Sequence, residues 1–461
     1  MEKMTYFIVM IFLLISTTIY AACPAPVGTV YTAVDGSDTE VQDCVNAADA
    51  ASGGEVRIPA GTATWATGVS KTLTHNLTIS GAGQSSTIIT GGSSTALFSL
   101  TAPSGVTLKI SDMKLISGSY NRTDGLMFIN GVNNNKIISN IYFDFTGATA
   151  GRALWFYGNG VIYGCTFYMS NYGQGISFRS GLAEGDYNYW YGNPSFGTVN
   201  EAYVENCTFN FPNSAGDGAF DAYSGAKIAF RYNTVIGTNI GWHGNDSSPG
   251  AHSAEVYNNV FTDPNNKTAF TINIRGGTAV IWGNSFDSNF GSSFDLSLYR
   301  SCDSGGYDPD SICNGSGTRD FNGADPTGYP CYQQIGTTGT SGLTNWPIIE
   351  WDNNYGSGTN NMQFGLNGNF LGQSCINYGH GAIYDMSDHV KEGRDYINHN
   401  TCVGVNSEFC NTWWDDVNKK AKNYTPYTYP HPLRGPFASS HKLGVGSLIK
   451  NSEGPTIKWF E

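Results

Sequence analysis

The stretch AFRYNTVIGTNIGWHGNDSSPGAHSAEVYNNVFTDPNNKTAFTINIRGGTAVIWGNSF, residues 229–286, repeats one short phrase three times. "AFRYNTV" (229–235), "EVYNNVF" (255–261) and "VIWGNSF" (280–286) share an order: an alternating strand, a turn residue, a fixed Asn and a second short strand. The fixed residues are Asn233, Asn259 and Asn284, at intervals of 26 and 25 residues. A period near 25 with three short strands per repeat predicts one coil of a parallel β-helix, each coil stacking on the last at about 4.8 Å. An Asn at the tight bend tolerates a left-handed backbone and bonds its neighbours. Stacked over successive coils, the three amides form an internal ladder.

Outward from this stretch the phrase recurs as "LKISDMKL" (108–115), "KIISNIYF" (136–143), "VIYGCTF" (161–167), "YVENCTF" (203–209), "IEWDNNY" (349–355) and "YINHNTC" (396–402). The fixed position there is Met113, Ile141, Cys165, Cys207, Asn353 and Asn400. Cys165 and Cys207 stand in one column and read as small buried thiols, with a disulfide as the alternative. The composition agrees: 58 Gly, 27 Tyr and only 13% charged residues among 461 suit many short strands and tight turns, not helical bundles. A formal charge of −13 repels nucleic acid and anionic membranes, so neither is an expected partner.

The chain resembles the pectate-lyase-like superfamily of right-handed parallel β-helix proteins over roughly residues 35–435. The resemblance rests on "TEVQDCVNAADAASGGEVRIPAGTATW" (39–65), an amphipathic helix leading into a first coil, and on "LTISGAGQSSTII" (77–89), the next coil. It implies an all-β, right-handed single-stranded parallel β-helix with an N-terminal capping helix and long loop insertions. The helix would cover the open end of the apolar core. Function is not implied at the same level, because the superfamily holds lyases, hydrolases, esterases, epimerases, tailspikes and adhesins.

Residues 1–22 read as a signal peptide: Lys3, the apolar run "YFIVMIFLLIS", then Ala21 and Ala22. Residues 23–435 are the β-helix domain and 436–461 a C-terminal tail. The expected location is secreted or cell-surface, with a lipoprotein anchored at Cys23 as the alternative. Ten cysteines in an exported chain favour disulfides, and Cys23 and Cys44 are natural partners. The repeat is interrupted between Cys165 and Cys207, between Asn284 and Asn353 and between Asn353 and Asn400. The first interruption carries the aromatic loop "EGDYNYWYGNPSFG" (184–197), and "NYTPYTYPHPLRG" (423–435) reads as a clasp along the outside of the coils.

Chemistry is expected on one further strand of each coil. In "LWFYG", "ISFRSG", "IGWHGND", "INIRGG" and "LSLYRSC", alternation points Phe156, Phe178, Trp242, Ile274 and Tyr299 inward. Tyr157, Arg179, His243, Arg275 and Arg300 then form an outward column, joined by Asp221 and Tyr223 if that coil is shifted by one residue. Three Arg on one strand face repel one another unless an acidic partner compensates, and the guanidinium fork suits a carboxylate. A uronate matches this stripe. In β-elimination a base removes the proton α to the carboxylate while cationic groups neutralise the developing charge. His243 is the expected base or acid, with Arg275 or Arg179 as rival bases. Arg275 and Arg300 are carboxylate binders, and Tyr223 is the acid to the leaving oxygen.

Arg179, Arg300, Asp221, Tyr157, Trp190 and Tyr189 complete the substrate-binding set, the last two as groove-wall aromatics that stack on sugar. Asp217, Asp221 and Asp246 offer oxygen ligands for Ca2+, although no spacing matches a dedicated calcium loop. Hydrolysis ranks below elimination, because a carboxylate pair is missing from "IGWHGND" and its neighbours. Arg231 reads as structural, paired with a nearby acid. The expectation is a monomeric carbohydrate-active protein on an acidic extracellular polysaccharide, most simply a polysaccharide lyase. A glycoside hydrolase or a non-catalytic polysaccharide-binding surface protein is the alternative.

Overall fold

The computed structural model describes residues 23–119, 125–132, 135–148, 150–170, 172–180, 192–213, 218–244, 250–266, 268, 271–290, 294–297, 335–338, 344–356, 365–366, 390–398 and 400–435. These residues form a parallel β-helix. Two of its faces belong to one 19-stranded sheet, and the third is built from a 6-stranded and then a 4-stranded sheet. Consecutive coils pair in parallel: Lys227–Arg231 lies on Ser253–Tyr257, which lies on Thr278–Trp282. The bend between the first two faces is marked in each coil by one left-handed residue: Asp112, Asn140, Gly164, Asn206, Tyr232, Asn258, Gly283 and Asp352. Asp, Asn and Gly are the residues that adopt this conformation most readily. The left-handed position therefore precedes the fixed Asn instead of coinciding with it. Tyr232 is the exception in kind, and its ring stacks 3.8 Å from Tyr429 of the C-terminal segment.

The ladder forms as the repeat predicts. Asn233 donates to Asn259 Oδ1 at 3.1 Å, Asn259 to Asn284 at 2.9 Å and Asn284 to Asn353 at 3.0 Å. Each Oδ1 also accepts the backbone N–H of the preceding coil, beginning with Cys207. Asn353 closes the series on Glu350. Asn400 is exposed and lies outside the ladder, because Ile349 pairs with Ile397, one residue beyond the expected register. Above the ladder, Cys165 and Cys207 are buried free thiols, the Cys165 N–H meeting Cys207 Sγ at 3.4 Å. The apolar interior includes the stacked rings Phe143, Phe167 and Phe209.

The helix Asp38–Ala50 covers the N-terminal end of this core with Val41, Cys44, Val45 and Ala48, and Ser37 caps it by accepting the Glu40 N–H. Cys23 and Cys44 form a disulfide, as do Cys402 and Cys410. The Cys23–Cys44 bond is the pairing expected for an exported chain. Residues 423–435 run along the outside of the coils. Arg231 is fully buried there, bonded to Glu205, to the Tyr257 hydroxyl and to the carbonyls of Tyr427 and Thr428. This confirms its structural reading. No helix among the described residues is long and apolar enough to cross a membrane.

Candidate functional site

The third face carries the polar cluster. Phe156, Phe178, Ala222, Trp242, Ile274 and Leu296 point inward and are buried. Strand register then fixes the outward neighbours. Tyr157 pairs with Arg179, and Phe178 pairs with Ala222, so Arg179 is followed by Tyr223. The His243 N–H bonds Ala222 O and the Arg275 N–H bonds Trp242 O, which continues the column as His243 and Arg275. A parallel outward column holds Phe128, Trp155, Ser177 and Asp221, then Gly241, Asn273 and Asp295. Asp221 and Tyr223 thus join the expected stripe.

Ile274 pairs with Leu296, so the position beside Arg275 belongs to Ser297. Leu296, not Tyr299, fills the inward position. Arg300, Trp190, Tyr189, Asp217 and Asp246 themselves lie outside the described residues.

At the centre, Asp221 Oδ2 receives three groups. His243 Nε2 lies 3.0 Å away, Gln174 Nε2 donates at 3.1 Å, and the Tyr223 hydroxyl donates to the same oxygen. The Tyr223 and His243 rings lie 4.1 Å apart. Burial works against charge on Asp221, but His243, Arg275 and the Tyr223 hydroxyl outweigh it and hold its carboxyl below the ordinary range. Burial, reinforced by the Asp221 charge, raises the Tyr223 phenol well above its usual value. Burial pulls Arg179 below the usual guanidinium value, with Tyr157, Tyr223 and Asp221 opposing. Asp221, Tyr223 and His243 are all less than 10% exposed.

Gln174 and Arg152 were not found from sequence. Arg152 Nε donates to Gln174 Oε1 at 2.6 Å, which extends the chain of bonds to Asp221. Both Gln174 and Ile176 sit at even positions, so alternation predicts one face for them. Ile176 is in the core and Gln174 is on the outer side, because Gly175 also presents its missing Cβ to the core, 2.9 Å from Phe209. That local slip erased the signal. Arg152, Arg179 and Arg275 all act on this cluster: Arg275 lowers the Asp221 carboxyl, Arg179 lies 5.4 Å from the Tyr223 ring, and Arg152 bonds Gln174. No group of three or more His, Cys, Asp or Glu that could hold a metal occurs among the described residues.

Other polar groups lie elsewhere. His252 is buried with Nε2 3.0 Å from Gly192 O, and burial beside Lys227 lowers it to about 3, so it is neutral. His431 packs on Tyr203, and its main-chain N–H donates to Glu205. His380, His389 and His399 lie outside the described residues. A recess of about 420 Å³ near Arg57, Lys109 and Asp112 sits on a different face, where Arg57 is already paired with Glu55.

No family model and no curated protein matches the sequence. Among solved structures the chain is similar to the A-module of the Azotobacter vinelandii mannuronan C-5 epimerase AlgE4. Identity is 14% over 57% of this chain and 74% of that one, with a TM-score of 0.28. It is also similar to ORF18 of Geobacillus virus E2, at 13% identity over 57% of this chain and 54% of that one, with a TM-score of 0.17. Likeness at this level gives no argument about activity.

Proposed function

We propose that the protein is a secreted, pectate-lyase-like enzyme that cleaves uronate-containing polysaccharide by β-elimination at the Asp221–His243–Tyr223 centre. The observation that carries this reading is the convergence of three guanidiniums on one Tyr–His–Asp cluster. A uronate carboxylate seated between Arg179 and Arg275 has its α-proton acidified, because the developing charge is neutralised where it forms. Asp221 holds the His243 ring through Nε2, and in this reading the other ring nitrogen, Nδ1, acts as the base. His243 takes the α-proton. The C–H electron pair forms the new double bond, and the bond to the leaving glycosidic oxygen breaks. Tyr223, whose raised pKa keeps it protonated, gives its proton to that oxygen.

Hydrolysis is less well supported. It needs two carboxyl groups about 5–9.5 Å apart. On this face Asp221 and Asp295 are separated by three coil steps, roughly 14 Å at inter-strand spacing. The test is incubation with pectate, alginate and glycosaminoglycans while ultraviolet absorbance of the unsaturated product is followed. Absorbance should rise with at least one polymer, and His243→Ala should slow it by about 10²–10⁴. New reducing ends without absorbance would replace the lyase by a hydrolase. Binding with neither signal would make the protein a non-catalytic polysaccharide binder.

A further inference from the structure

We infer that the recess lined by Lys109, Ser111 and Asp112, at the bend between the first two faces, is a binding site for a small hydroxylated carboxylate. It is separate from the polar column and does not depend on the lyase reading. Unequal bends create it. In the first two coils the chain leaves strands Gly54–Arg57 and Leu77–Ser80 and uses residues 58–60 and 81–86 to reach Gly61–Trp65 and Thr87–Gly91. In the next coil one left-handed residue, Asp112, makes the same bend inside the continuous strand Leu108–Ile116. Ile58, Pro59, Gly81 and Ala82 of the longer bends wall the step down to Asp112, which encloses about 420 Å³. That volume falls among small-molecule sites, about 300–1,000 Å³, and exceeds what a bare ion fills.

Ser111 marks the recess as built for a ligand. It is 2% exposed, it lines the recess, and its hydroxyl has no hydrogen-bond partner among the described residues. A polar group so buried ordinarily finds a partner. Its column neighbours have theirs: Ser80 donates to Glu55, and Arg57 grips both Glu55 oxygens. Lys109 stands two residues before Ser111 on the same side of the strand, roughly 6.6 Å away. Its ammonium also has no hydrogen bond or ion pair among the described residues. Asp112 accepts the Asn140 amide at 2.6 Å through one oxygen, and its other oxygen takes no bond among the described residues.

These groups select the ligand. The Lys109 ammonium and the Ser111 hydroxyl donate to a carboxylate. The open Asp112 oxygen accepts from a hydroxyl, Thr78 beside Lys109 adds another polar contact, and Ile58 and Pro59 meet C–H groups. A metal ion is disfavoured, because both Glu55 oxygens are engaged and two cations line the recess. Ser111 stacks through Ser139, Tyr163 and Glu205 to Arg231. The recess is therefore four coil steps from the coil of His243, roughly 19 Å along the axis. The C-terminal segment seals this column as far as Tyr163, where Arg434 stands 4.6 Å from the ring, two steps short of Ser111.

The experiment is calorimetric titration of the full chain with D-glucuronate, which carries both carboxylate and hydroxyls. D-Glucose lacks the carboxylate and acetate lacks the hydroxyls. Saturable binding of glucuronate is expected, with each control about tenfold weaker or more. Lys109→Met should weaken glucuronate about tenfold, and Lys109→Arg, which keeps the charge, should stay within about threefold of wild type. Ser111→Ala should weaken it about threefold. Arg275→Gln, in the polar column, should leave it unchanged. Urea midpoints of all variants confirm that they are folded. Absence of saturable glucuronate binding, or equal binding of glucose or acetate, would overturn the site. So would affinity that is lost in Arg275→Gln but kept in Lys109→Met, which would assign the ligand to the polar column.

Discussion

At the residue scale, Arg231 and His243 show how similar polar signals acquire different roles. Arg231 is sealed between Glu205 and the carbonyls of the C-terminal segment. Removing its charge leaves Glu205 with Arg434 and the His431 N–H as remaining partners. Arg231→Ala should therefore cost about 3 kcal/mol in urea unfolding and expose residues 423–435 to protease. Arg231→Met with Glu205→Gln should cost less, because no buried charge is stranded. His243 instead meets its acid, Asp221, together with the Tyr223 hydroxyl and the Gln174 amide on the same oxygen. Lys136 offers a sharper single-residue test. Its side chain is buried, donates to Gly131 O at 2.6 Å, and is pushed down by burial to about 7. Between about pH 7 and 10 the unfolded chain holds a proton that the folded chain has lost, so stability should rise with pH across that window. Urea midpoints should show the rise in the wild-type protein and a flatter profile in Lys136→Met.

At the scale of elements, the amide ladder joins coils that sequence separates by 25 to 69 residues. Asn259 accepts from the Asn233 backbone and side chain and donates to Phe230 O and Asn284. Asn259→Ala strands at least one buried N–H and one carbonyl. At about 1–3 kcal/mol for each orphaned group, the loss should be roughly 2–6 kcal/mol in denaturant unfolding. Asn259→Asp should be no milder, since its second oxygen faces Phe230 O and Asn284 Oδ1 where a donor stood. A loss below about 0.5 kcal/mol in the Ala variant would show that water or repacking satisfies these groups.

For the whole molecule, the coil stack is tied together from outside by a buried acidic pair. Burial first, and then Glu255, raises the Glu201 carboxyl well above its ordinary 4.5, while Lys227 and Arg231 pull the other way. Glu255 accepts from the Gly197 N–H at 2.6 Å and from the Tyr424 hydroxyl, so it links the segment before Ala202 to the C-terminal clasp. The folded state keeps a proton on Glu201 that the unfolded chain releases above about 4.5. Its contribution is fully present below that pH and is lost as pH rises toward the folded value. Thermal melts from pH 4.5 to 8 should fall by roughly a few degrees on this account, and Glu201→Gln should flatten the fall.

The sequence by itself determined the coil. A 25-residue period, a left-handed-tolerant residue and a fixed Asn are local signals, and each coil repeats the same local problem. It also determined which side chains face the core at Phe156, Phe178, Trp242 and Ile274, because alternation survives wherever strands are regular. Tertiary structure decided the rest. Gln174 entered the site through a break in alternation at Gly175, and Arg152 followed it there. Ser297 took the place expected of Arg300 because pairing with the previous coil, not distance along the chain, sets register. His243 became more than an outward histidine only when Asp221, 22 residues earlier, was brought to 3.0 Å by the stacking of two coils. Proximity across coils is set by the period and by insertions between coils, and a one-residue slip exchanges inside for outside.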